Sequence, residues 1–254
     1  MSAKTDTGVP ARIHPSPNHG ERPDGQAIDM LILHYTGMET PEAALRRLCD
    51  PRAEVSAHYL VYEDGQIDQL VPESRRAWHA GKSAWKGAED VNSRSIGIEI
   101  VNPGHQGDYP DFPEAQIACA IDLAKDIVSR HAIPPWNVLA HSDIAPDRKL
   151  DPGEKFPWDR FAAAGVGHFV TPSGMAGNLF MQEGDEGQPV EAIQSMLALY
   201  GYPVPINGIF DASTRMVVAA FQRHFRPSKV DGIVDQSTVQ TLYGLLERLP
   251  SLDR

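Results

Sequence analysis

The chain has 254 residues, 41% of them hydrophobic and 22% charged, with a formal net charge of −11. That length suits one large domain or a domain of about 150–170 residues with a small companion. The acidic balance and the lack of Lys/Arg clusters argue against nucleic acid, and no apolar run approaches the roughly 18–20 residues that span a bilayer.

Residues 1–27, polar and rich in proline, read as an extended lead-in with no apolar h-region. This predicts a cytoplasmic protein, with the periplasm as the alternative. Cys49 and Cys119 are the only cysteines; each lies in a helix-like pattern without a CxxC partner, which predicts two free thiols and no metal-thiolate centre.

Ile28–Thr36 (IDMLILHYT) is a short apolar run and predicts a buried strand ending near His34. Pro41–Asp50 predicts an amphipathic helix with Pro in its first turn, and Ser56–Pro72 a hairpin turning at Asp64-Gly65. Ser95–Asn102 (SIGIEIVN) alternates as a strand, Pro113–Ile133 keeps a 3.6-residue period, and Asn137–Asp143 reads as a further short strand. Mixed strands and helices predict an α/β fold, a mixed central sheet flanked by helices.

From Gly165 to Asn178 the chain becomes rich in Gly, Ser and Thr, which marks a linker. Three helical patterns follow, Glu191–Tyr202, Ser213–Phe225 and Ser237–Leu249. Asn207–Thr214 and Asp231–Thr238 share x-G-I-x-D-x-S-T at an offset of 24 residues, with Asp211 and Asp235 as candidate N-caps. The expected division is a lead-in (1–27), a catalytic domain (28–165), a linker (166–178) and a small three-helix domain (179–254).

His141–Gly153 (HSDIAPDRKLDPG) packs one His, three Asp, an Arg and a Lys into thirteen residues. There is no HExxH, so a metal site would have to be assembled from separated residues. His34, His141 and Asp151 are the candidates, since two imidazoles and one carboxylate leave a fourth tetrahedral position free. Glu99, between two isoleucines, is either a base facing that site or a Glu on a solvated strand face. Lys149 is either an ammonium beside a developing oxyanion or a solvated loop lysine.

LILHYT, SAHYLV, RAWHAG, SIGIEIVN and HSDIAPDRKLDPG, in that order over roughly residues 28–165, resemble the zinc-dependent N-acetylmuramoyl-L-alanine amidases of the AmpD/AmiD type. Residues 179–249 resemble the three-helix peptidoglycan-binding domain. The resemblance implies one Zn²⁺ held by His34, His141 and Asp151, with Glu99 as general base and Lys149 stabilising the tetrahedral intermediate. It places Trp78 and His79 on the substrate cleft and makes peptidoglycan or anhydro-muropeptides the partner. Phage-type and recognition-protein relatives often carry Cys at the third ligand and Tyr before the second-strand His. Asp151 and Ala57 depart from that pattern, which favours the Glu-based subgroup. A zinc peptidase acting on peptidoglycan, a non-catalytic recognition module and an anchored structural protein remain as rival readings.

Overall fold

Two apolar strands lie at the centre of the molecule because neither has a polar face to turn to water. They are β3 (Met30–Tyr35) and β7 (Ser95–Ile100), in a computed structural model that describes residues 4–174 and 180–250. In chain order the first part holds β1 (Arg12–Ile13), β2 (His19–Glu21), β3, α1 (Pro41–Cys49), β4 (Tyr59–Val61), β5 (Ile67–Gln69), β6 (Arg75–Ala77), α2 (Val91–Arg94) and β7. It continues with α3 (Glu114–His131), β8 (Val138–Ala140), α4 (His141–Ile144) and α5 (Trp158–Ala163). The second part is β9 (Phe180–Met181), α6 (Gln188–Tyr200), α7 (Ala212–Phe225), β10 (Val234–Asp235) and α8 (Gln236–Leu246).

The central sheet has six strands in the order β1-β5-β4-β7-β3-β8. All pairs are parallel except the β4–β5 hairpin, so the expected mixed sheet flanked by helices is what forms. Alternation sorts the side chains of β3 and β7. Leu31, Leu33, Ile96, Ile98 and Ile100 face one way, onto Ile117, Ala120, Leu123, Ala124 and Ile127 of α3. Burying each of these leucine and isoleucine side chains stabilises the fold by about 1.5–3 kcal/mol. Met30, Ile32 and Leu139 face the other way and join one apolar cluster with Trp85 and the C-terminal helices.

Local signals fix the helix ends. Thr40 caps α1 by accepting from the Ala43 N–H, with Pro41 in the first turn and Arg46 and Arg47 in the last, where cations suit the helix dipole. In the C-terminal part Asp211 and Asp235 accept from the N–H of Thr214 and Thr238, each at 2.8 Å. The repeated sequence makes a repeated device. Gln194 Oε1 accepts from Asn207 and Gly208 N–H, and Gln222 Oε1 accepts from Asp231 and Gly232 N–H.

Three segments differ from expectation. The lead-in supplies β1, parallel to β5 at the sheet edge, and β2, antiparallel to β6. The strand expected to run to Asp143 stops at Ala140, because the Asp143 carboxylate accepts from the Ala140 N–H at 2.8 Å and turns the chain helical at His141. The linker expected over 166–178 can be followed to Gly174, with Val166 and Val170 buried; residues 175–178 lie outside the described residues. No helix among the described residues is long and apolar enough to cross a membrane.

Candidate active site

Register brings the candidate residues together. His34 stands opposite Glu99 in the β3–β7 pair, and Leu33 stands opposite Ala140 in the β3–β8 pair, so His141 leaves β8 beside His34. All three positions lie at or just beyond the C-terminal ends of parallel strands, the edge where α/β sheets hold their ligands. Asp151 is brought back to this edge by the bond from Ser142 N–H to its carbonyl at 3.0 Å.

His34 Nδ1 lies 2.9 Å from His141 Nδ1, and both lie 3.0 Å from Asp151 Oδ2. The three side chains are buried and form the one such group of potential metal ligands among the described residues. A tetrahedral zinc ion with ligands at about 2.0–2.1 Å separates its donors by roughly 3.3 Å, so this triangle matches one face of such a site.

The protonation states also fit. Burial, reinforced by the charge of His141, lowers the His34 imidazolium pKa to about 4, which leaves the neutral, ligating form at neutral pH. Burial alone would raise Asp151, but His141 and His34 outweigh it and hold the carboxyl well below its usual range.

The far side of each imidazole is occupied. His141 Nε2 meets the Ala80 carbonyl at 3.2 Å, which requires an N–H there and leaves the Nδ1 lone pair facing the triangle. Arg148 donates to the carbonyls of Ala80 and Lys82, tying the loop before Asp151 to the same segment. His34 Nε2 meets His79 Nδ1 at 3.1 Å, His79 Nε2 meets Ser95 Oγ at 3.2 Å, and Ser95 donates to the Val91 carbonyl at 2.7 Å. Followed back from that carbonyl, the chain makes His79 a donor to Ser95 and His34 a donor to His79.

Glu99 has its Oε2 buried without a hydrogen-bond partner. Burial pushes its carboxyl well above the usual range, the charge of Asp151 adds to this, and Lys149 opposes it. Lys149 also disfavours protonated His34, so its charge is felt at both groups.

Glu99, Lys149, His141, Asp151 and Trp78 line one cleft of about 350 Å³. His79 borders that cleft, but both ring nitrogens are engaged inward with His34 and Ser95. His105 stands on the cleft wall between Tyr35 and Glu154, at 3.0 Å from each. The fold alone brings these three together. His58 accepts from the Gly97 N–H at 3.0 Å.

Comparison with known proteins points to one family. The family model for N-acetylmuramoyl-L-alanine amidase matches residues 24–154, and a peptidoglycan binding domain model matches residues 186–242. The chain is 41% identical over 235 residues to N-acetylmuramoyl-L-alanine amidase AmiD of Escherichia coli, a match covering 87% of this chain and 83% of AmiD. The fold is similar to that of AmiD from E. coli in complex with the substrate anhydro-N-acetylmuramic acid-L-Ala-D-gamma-Glu-L-Lys, with TM-score 0.76 and 38% identity over 90% of this chain and 93% of that one. AmpDh3 from Pseudomonas aeruginosa, in complex with anhydromuramic pentapeptide, gives a TM-score of 0.73 at 31% identity over 99% of this chain and 100% of that one. With an amidase model spanning more than half of its length and such a relative over most of it, the chain belongs to the N-acetylmuramoyl-L-alanine amidase family.

Proposed function

We propose that this amidase hydrolyses the amide between the lactyl carboxyl of N-acetylmuramic acid, including its 1,6-anhydro form, and L-Ala of a peptidoglycan stem peptide. In this reading it acts in cell-wall recycling or remodelling. The observation that carries the reading is the His34–His141–Asp151 triangle beside the unpartnered, proton-avid Glu99. The anhydromuramyl peptides held by AmiD and AmpDh3 support this substrate class.

In this proposal one Zn²⁺ is held by His34, His141 and Asp151. When bound, zinc supplies Lewis acidity and lowers the pKa of a bound water toward about 7. Glu99 takes the proton of the attacking water as the C–O bond forms, then delivers it to the departing nitrogen of L-Ala as the C–N bond breaks. The products are a muramic acid carboxylate and a free peptide amine. The Lys149 ammonium faces the charge that develops on the carbonyl oxygen. Trp78 offers an aromatic wall to sugar or peptide, and His79 orients His34 from behind.

Residues 28–165 act as the catalytic domain in this reading, 166–178 as the connection and 179–254 as a unit that raises the local concentration of polymer. We place the protein in the cytoplasm, a setting supported by the free thiols Cys49 and Cys119. The test is mass spectrometry of products after incubation of the zinc-loaded protein with an anhydro-muropeptide and with intact sacculi. Release of a free peptide beginning at L-Ala, lost in Glu99→Ala and on chelation, is the expected result. Shortened peptides still attached to sugar would make the protein a peptidase, and retained sacculus binding without any product would make it a recognition module.

A further inference from the structure

Asp143, two residues beyond His141 on α4, is fully buried and engaged on both oxygens. Its Oδ2 accepts from the Ala140 N–H at 2.8 Å and from His224 Nδ1 at 2.6 Å. Its Oδ1 accepts from the Tyr202 hydroxyl at 2.6 Å. Tyr202 and His224 belong to the C-terminal part, 59 and 81 residues along the chain from Asp143. Both are buried.

The surroundings hold these two donors rigidly. The His224 ring stacks on Trp158 of α5, with centroids 3.7 Å apart and planes 24° apart. Trp85 meets Tyr200 and Tyr202 edge-on at 6.0 and 5.1 Å. Gly201 lies between those tyrosines, and a Cβ there would come within 2.6 Å of the Trp85 indole. Met30, Ile32 and Leu139 of the sheet share one apolar cluster with Leu197, Phe221 and Leu242 of the helices. A polymer-binding unit on a free tether has no need of such a junction.

We propose that the C-terminal helical unit is a structural part of the amidase centre, with Tyr202 and His224 as positioning residues that fix the turn carrying His141. The proposal rests on the reading of His34, His141 and Asp151 as metal ligands. α4 has four residues, too few to hold its own geometry. Its carboxylate is therefore anchored from outside. His141 Nδ1 must stay within about 3 Å of two other donors, and small displacements at such sites are costly to function.

The experiment uses the full-length chain and two readouts: zinc affinity by competition with a chromophoric chelator, and kcat and KM on a small soluble anhydro-muropeptide. Tyr202→Phe removes one donor and keeps the packing against Trp85; His224→Leu removes the other, and His224→Asn keeps an N–H near the Nδ1 position. Tyr243→Ala, on the exposed face of α8, is the control. The expected result is about tenfold weaker zinc binding and a fall in kcat at unchanged KM for Tyr202→Phe and His224→Leu, partial recovery in His224→Asn, and no change in Tyr243→Ala. Folded variants with wild-type zinc affinity and kcat would overturn the proposal and leave the metal reading standing. A wild-type protein that binds no zinc would instead remove the reading on which the proposal rests.

Discussion

His34 and His79 stand ring nitrogen to ring nitrogen, Nε2 to Nδ1 at 3.1 Å, and Gly97 leaves the space that the second ring fills. A Cβ at residue 97 would lie 2.5 Å from His79 Cγ. Gly97→Ala therefore displaces His79 and takes away the acceptor that orients His34. Zinc affinity is expected to fall about 10–100-fold in Gly97→Ala and in His79→Ala, measured by chelator competition. Wild-type affinity in His79→Ala would show that His34 orients itself.

Glu99→Gln keeps the shape of the cleft and loses the base, so kcat is expected to fall by about 10²–10⁴-fold with zinc still bound. The pH profile carries a second check. Burial raises the Glu99 carboxyl, and Lys149 partly offsets this by favouring the carboxylate. Removing that charge in Lys149→Met raises the carboxyl further, so the acid limb of kcat/KM moves to higher pH while the plateau drops. A limb that stays in place in Lys149→Met would assign it to another group.

Chelation is expected to abolish hydrolysis and to lower the unfolding temperature, because an ion that binds only the folded chain at about 100 times its Kd adds roughly 2.7 kcal/mol of stability. Calorimetry before and after chelation and zinc re-addition measures this. In Asp151→Ala the zinc-dependent rise in unfolding temperature should shrink toward zero, since the carboxylate bridging the two imidazoles is gone.

Away from the cleft, Glu73 accepts from Tyr59 at 2.6 Å, from Arg130 and from His131. Burial alone would raise its carboxyl, but these donors outweigh it and hold it well below the usual range. The unfolded chain then binds the proton more readily, so this contribution is complete above about pH 4.3 and fades as pH falls toward the folded-state value. Glu73→Gln is expected to cost about 1–3 kcal/mol at pH 7, with the difference from wild type shrinking in acid. Urea titrations at pH 7 and pH 3 measure it; an equal loss at both would mean the charge is not what stabilises.

The sequence exposed the parts of the site that are periodic or locally dense in charge. His34 stands in a short apolar run and Glu99 in an alternating strand, and His141, Lys149 and Asp151 lie in one charged segment. What stayed hidden depends on distance along the chain. Ser95 holds His79 in place, Tyr202 and His224 hold Asp143, and no local pattern marks such partners. Gly97 was the available signal for His79, since a glycine inside an apolar strand often marks a close approach. The strands of the lead-in are only two and three residues long, below what alternation can reveal.

The junction around Trp85 also constrains engineering. Severing the chain in the connection after Gly174 would strip the cover from Trp85, Met30, Ile32 and Leu139. The amidase half would then present a sticky apolar face to water, prone to self-association. Grafting the helical unit onto another hydrolase would meet the same problem in reverse, so the two halves can be exchanged only if the receiving surface travels with them.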